Sequence, residues 1–131
     1  MPREITILAP RPVTDRELVE SAFGVDPELG LRRLNPGALI QFLRDDKDVV
    51  LTLEQPMNLR APDEIDRILP GADVSPAVRE AARQAAADPA TAQPVWIGAL
   101  APWGEHGETG AQICRAVAEV VGGTCVVQDG R

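Results

Sequence analysis

The sequence has few aromatic residues, which make up 3% of its 131 residues and include no tyrosine. A core built with so few rings must come mainly from leucine, valine, isoleucine and alanine. The surface also offers few rings on which unpaired nucleic-acid bases can stack. This scarcity argues against a domain that binds single-stranded nucleic acid.

Basic residues are also few: the sequence has 13 lysines and arginines and 20 aspartates and glutamates, for a net charge of −7. Binding to nucleic acid depends on cations that neutralise phosphates, so we expect no nucleic-acid partner. An acidic surface attracts basic proteins, and it also keeps a protein in solution. The net charge alone does not distinguish a protein that binds a basic partner from one whose acidic surface only keeps it in solution.

Cysteines and long apolar segments are scarce as well. The two cysteines, Cys114 and Cys125, form no Cys-x-x-Cys pair, which excludes zinc-ribbon and thioredoxin-type motifs. No apolar run approaches the roughly 18 residues of a membrane span, and no signal-peptide pattern opens the sequence. We therefore expect a cytoplasmic protein with no membrane partner, no metal and no cofactor.

The hydrophobic patterning predicts one α+β domain over residues 1–131, a length that can bury a core of its own. Short apolar runs bounded by proline, glycine and aspartate predict strands over residues 4–9, 31–34, 38–44, 49–54, 93–100 and 124–127. Helical spacing predicts helices over residues 14–24, 62–69, 77–88 and 112–121. Thr14 and Glu17 form a capping-box pattern, and Ser75 precedes a proline as an N-cap does.

A predicted turn at residues 35–37 divides the extended segments 31–34 and 38–44. With these two segments counted as one strand, the order β-α-β-β-α-α-β-α-β matches a ferredoxin-like βαββαβ core with an appended helix and strand. The expected architecture is a mainly antiparallel sheet with helices on one face. Such folds host many unrelated functions, so the function has to be argued from a site.

The most unusual segment is APWGEHGETG, residues 101–110, which contains the only histidine and three evenly spaced glycines. Thr109 and Gln112 have capping-box spacing, which predicts that a helix starts after Thr109. Glu105 and Glu108 would then lie just before the positive end of that helix. On this interpretation the segment is a well-capped turn.

Three chemical interpretations of the same segment are weaker. A phosphate-binding loop normally includes a basic side chain, whereas this segment has two carboxylates and neither lysine nor arginine. A zinc site needs three or four ligands, and His106 supplies one imidazole. A nucleophilic pair of Cys114 and His106 would require the thiol to leave an apolar helix face.

The remaining interpretation is a docking loop in which an exposed Trp103 anchors a partner protein. Its candidate binding residues are Trp103, Glu105, His106 and Glu108, together with the acidic turn residues Asp45, Asp46 and Asp48. A second acidic group, Asp63, Glu64 and Asp66, opens a predicted helix and could extend the same surface.

In size, acidity and α+β order, the chain resembles the small acidic immunity-type proteins of bacterial toxin systems. That resemblance implies a non-enzymatic domain that neutralises a basic partner or toxin by binding it. Two alternatives remain open. One is a small enzyme or ligand-binding domain that uses His106 with Glu105 or Glu108 as an acid–base pair. The other is an oligomer that forms through an edge strand such as residues 124–127.

Overall fold

The structure is a computed structural model that describes residues 2–128, except for the side chains of residues 36 and 37. In chain order, its elements are β1 (Arg3–Ala9), α1 (Asp15–Val25), β2 (Gly30–Leu34), α2 (Asn35–Ala38), β3 (Leu39–Arg44), β4 (Asp48–Glu54), β5 (Met57–Asn58), α3 (Pro62–Ile68), α4 (Pro76–Ala87), β6 (Val95–Ala101), α5 (Glu105–Val121) and β7 (Thr124–Gln128).

All the strands belong to one antiparallel sheet with the order β2-β3-β4-β6-β1-β7, and the short β5 also pairs with β6. Both neighbours of β1 run antiparallel to it, so β6 and β7 run in the same direction. The connection between them, α5, therefore crosses over β1. The two edges of the sheet are β2 and β7.

The long helices α1 and α5 cover one face of the sheet. Ile5 and Ile7 of β1 point into this layer, where they pack with Leu18 of α1 and with Ile113 and Val117 of α5. These side chains are almost fully buried. We call this layer the first core.

The helices α3 and α4 cover part of the opposite face. Leu8 of β1 points to that side because side chains alternate along a strand. It packs against Ile65 of α3 and Val78 of α4. In this second core α4 approaches closely through its small residues, since Ala81, Ala82 and Ala85 are buried.

The α+β class and the mainly antiparallel sheet are confirmed, whereas a ferredoxin-like core is not. Three strands, β6, β4 and β3, separate β1 from β2, the strand that follows α1, whereas a four-strand βαββαβ core has one strand at that place. The prediction of helices on one face is wrong for α3 and α4. Because α1 and α5 already cover the first-core face, the apolar sides of α3 and α4 pack on the opposite face of the sheet.

Several local predictions are confirmed. Thr14 caps α1 in a complete capping box with Glu17, and Ser75 caps α4. The predicted turn at residues 35–37 falls instead in the short helix α2. Within residues 2–128 no helix combines the length and the apolar composition needed to cross a membrane.

Candidate functional site

The helix α5 begins at Glu105, so the prediction that it starts after Thr109 is wrong. Its N-cap is Gly104, with φ 86° and ψ −158°, and no side chain caps the helix. Thr109 lies inside the second turn, where its hydroxyl donates to the Glu105 carbonyl oxygen at 3.3 Å. Residues 105–110 are therefore helical, and the connection from β6 is only three residues long.

Two of the evenly spaced glycines let α5 lie directly on the sheet. A Cβ atom on Gly107 would sit 1.5 Å from the Pro102 carbonyl oxygen, and one on Gly110 would sit 2.1 Å from the Val50 carbonyl oxygen. Val50 is the extra residue of a bulge in β4, since Phe42 pairs with Leu51 and the next pair joins Leu43 to Val49. The glycines are therefore sites of close backbone contact.

Trp103 is half exposed, with 50% of its surface open, in the turn between β6 and α5. The Arg3 guanidinium lies over the ring, 5.7 Å from its centroid, in a cation–π arrangement. The same guanidinium donates to Glu108 at 3.2 Å, and Arg115 approaches Glu108 from within α5 at 3.5 Å. The ring is thus held beside the first turn of α5 while one side of it faces outward.

His106 connects the first turn of α5 to the end of β3. The Arg44 guanidinium donates to Nδ1 of His106 at 3.1 Å, to the Thr109 hydroxyl at 3.0 Å and to the Asp26 carboxylate at 3.2 Å. Because a guanidinium can only donate, we assign Nδ1 of the neutral ring as the acceptor and place the proton on Nε2. Nε2 faces the Asp48 carboxylate at 3.8 Å.

This arrangement does not favour His106 as a general base. The lone pair on Nδ1 is taken by Arg44, and Nε2 carries the proton in the assigned tautomer. The His106 side chain instead connects the start of α5 to the turn between β3 and β4.

Two grooves of 590 Å³ lie elsewhere, one beside β5 and the end of α4, the other beside residues 10–12 and α4. Neither contains a predicted site residue.

The acidic turn between β3 and β4 lies at the same end of the sheet as α5 begins. Asp45 and Asp46 adopt positive φ angles of 56° and 57°, which short polar side chains tolerate, and both are exposed. Asp48 opens β4 and reaches His106. The fold therefore gathers all the predicted binding residues at one end of the molecule. We call this set the acidic end: Asp45, Asp46, Asp48, Trp103, Glu105, His106 and Glu108.

Two residues of this region were not predicted from the sequence. Arg44 and Asp26 are half buried and form an ion pair that supports His106 and Thr109. Arg44 ends β3, while Asp26 is the C-cap of α1 and accepts from the Glu28 amide at 3.0 Å, so no sequence motif links the two residues. Only the tertiary packing of β3, α1 and α5 brings them together.

The nucleophilic pair of Cys114 and His106 is excluded by the helix geometry. Both residues lie in α5, eight positions apart, which corresponds to roughly 12 Å along the axis. Cys114 is fully buried, and burial raises the pKa of its thiol. Its side chain packs in the first core.

The second acidic group does not extend the acidic end. Asp63, Glu64 and Asp66 belong to α3, which packs on the opposite face of the sheet. Asp66 pairs with Arg79 at 3.4 Å, and Glu64 accepts from the Arg60 backbone at 2.7 Å. Over residues 2–128, no three His, Cys, Asp or Glu side chains are arranged to hold a metal ion.

No protein-family model, no curated protein and no solved structure matches this chain. The function therefore has to be argued from the geometry of the acidic end.

Proposed function

We propose that this chain is a non-enzymatic protein-binding domain that takes a basic partner at the acidic end. The observation that carries the proposal is the half-exposed Trp103, which is held in place at the start of α5. Exposed tryptophans contribute strongly to protein interfaces because a large rigid ring buries much apolar area.

The contacts of Trp103 support its use as an anchor. Arg3 lies on the ring and is itself fixed by Glu108, so the side chain is ordered before any partner arrives. A residue ordered in advance loses less conformational entropy on binding. A partner that packs on the outward side of the ring would keep these contacts.

The charges around the ring support a basic partner. Among the described residues, Asp45, Asp46 and Glu105 take part in no ion pair, and all three are exposed. These three carboxylates outnumber the one exposed lysine of the turn, Lys47, so the surface keeps a negative potential that steers a positive partner. The proposal includes a basic toxin as partner, in keeping with the resemblance to immunity-type proteins.

The test is a selection of binding peptides from a random display library. We expect the selected peptides to combine lysine or arginine with an apolar residue. Their affinity should be followed through tryptophan fluorescence in a Trp96→Phe background, where Trp103 is the only reporter. Trp103→Ala removes this reporter, so the affinities of the variants are compared by titration calorimetry. Trp103→Ala should weaken binding by about tenfold or more, and added salt should weaken binding further because the charges are exposed.

The matched control is Met57→Ala, which removes another exposed apolar side chain, 53% open, from β5. This variant should bind the selected peptides as the parent does. A triple variant, Asp45→Asn with Asp46→Asn and Glu105→Gln, should lose the salt dependence while it keeps the fold. Peptides without positive charge, or equal losses from Trp103→Ala and Met57→Ala, would contradict the proposal.

A further inference from the structure

The two edges of the sheet differ in how they are protected. At one edge, β2 carries Arg32 and Arg33, both exposed, and charged side chains discourage a further strand from pairing. At the other edge, β7 has the sequence TCVVQ, with no charged residue and no proline. Its register with β1 is continuous and contains no bulge.

Both faces of β7 pack against apolar cores of the molecule. Cys125 and Val127 pack against the first core, and Val126 packs against the second. Even so, none of its five residues is fully buried. Within residues 2–128, β7 pairs with β1 alone, so one side of its backbone is left without a strand partner.

We propose that β7 is a dimerisation edge on which a second copy of this chain adds its own β7 in antiparallel orientation. The strand is complementary to itself when the pairing is centred on Val126. Cys125 then faces Val127 of the other copy on the first-core side, and the two Val126 side chains meet on the second-core side. All five residues of β7 then pair with a residue of the other copy, and the first and second cores both continue across the dimer interface.

The electrostatics favour this orientation. Gln128 pairs with Glu4 and Arg3 pairs with Ala101, so β7 ends near the acidic end of its own copy. Antiparallel pairing sends the two acidic ends to opposite ends of the joined sheet and separates their like charges. The uncharged β7 lets two chains of net charge −7 approach each other. This inference does not depend on the proposed function.

The first test is sedimentation of the whole chain over a range of concentrations at about 0.05 M and about 0.5 M NaCl. We expect a monomer–dimer equilibrium that salt strengthens, because salt screens the repulsion between two acidic copies. Binding of a basic partner at the acidic end has the opposite salt dependence, so the two interactions are distinguishable. A chain that stays monomeric at millimolar concentration overturns the proposal.

Two variants test the register. Val127→Cys is a small change that places a second thiol opposite Cys125 of the other copy, at a distance of about 5 Å between Cα atoms. With oxidised glutathione this variant should form a covalent dimer. Val120→Cys, at an exposed position of α5, should not do so to any greater extent than the parent. Equal cross-linking of both variants would overturn the register.

Val126→Lys places two ammonium groups opposite each other and should raise the dimer dissociation constant by about tenfold or more. The matched control is Leu31→Lys, at an exposed position on the other edge, which should leave that constant unchanged. Circular dichroism identifies any loss of fold in Val126→Lys, and in that case the cross-linking of Val127→Cys decides. An equal effect of the two lysine substitutions would overturn the assignment of the dimer to β7.

Discussion

The helices α1 and α5 lie side by side on the same face of the sheet, yet their first turns are held by different means. At α1, the Thr14 hydroxyl accepts from the Glu17 amide at 3.1 Å, and the Glu17 carboxylate accepts from the Thr14 amide at 3.0 Å. At α5, no side chain caps the helix, and Gly104 turns the chain with a positive φ.

The difference lies in what each helix start depends on. The start of α1 depends on residues three positions apart, which would hold a helix end in many surroundings. The start of α5 depends on the distance between its backbone and the carbonyl groups of Pro102 and Val50. A local cap can be exchanged at modest cost, whereas a backbone contact leaves no room for any side chain.

The largest effect should come from Gly107→Ala. The added Cβ would overlap the Pro102 carbonyl oxygen, so the start of α5 must move away from the connection that follows β6. We expect the free energy of unfolding to fall by about 3 kcal/mol or more, which exceeds the ~1 kcal/mol that alanine gains over glycine in a helix. Denaturation with urea measures this change, and failure to fold is the extreme case.

The matched control is Gly24→Ala in the last turns of α1, where an added Cβ meets nothing within 4 Å. This variant should be as stable as the parent or more stable by up to about 1 kcal/mol. If both alanine variants raised the stability, Gly107 would not be a site of close contact.

Gly104→Asn should have the next largest effect. At φ 86° and ψ −158°, Gly104 occupies a region that is essentially restricted to glycine, so we expect a loss of about 1–3 kcal/mol in unfolding free energy. Gly122, the C-cap of α5, has φ 69° and ψ 30°, a left-handed conformation that asparagine tolerates. Gly122→Asn should therefore cost clearly less in the same thermal or urea titration, and a larger loss there would reverse the interpretation.

Thr14→Ala should cost less again. It removes one acceptor from the capping box, a loss of about 1 kcal/mol in unfolding free energy. Thr14→Ser retains a hydroxyl and should restore most of the stability. A loss from Thr14→Ala as large as that from Gly107→Ala would remove the distinction between the two helix starts.

The smallest effect should appear only in acid. The Arg11 guanidinium and the Thr14 amide both donate to Glu17 and lower the pKa of its carboxyl from 4.5 to about 2. A lowered pKa in the folded state stabilises the protein above the unfolded-state pKa, and this stabilisation is lost as the pH falls from about 4.5 to about 2. Glu17→Gln should flatten the pH dependence of the unfolding free energy in that window. An unchanged slope would show that Glu17 is not the group that titrates.

These two helix starts also explain how far the sequence alone could predict the structure. Most strands and the helix at Thr14 followed from alternation and local capping, which need no knowledge of neighbours. The start of α5 did not, because Thr109 and Gln112 have capping-box spacing while the deciding contacts come from Pro102 and Val50. The approach of His106 to Asp48 likewise depends on β3, β4 and α5 meeting at one end of the sheet.

The position of β1 has a consequence for the order of folding as the chain leaves the ribosome. This strand lies between β6 and β7, which are made long after it, so its apolar residues have no strand to pair with during most of synthesis. The β2-β3-β4 meander can form early from neighbouring segments, whereas the centre of the sheet closes only when the last third of the chain emerges. We therefore expect nascent chains that end before β6 to bind chaperones through residues 5–8.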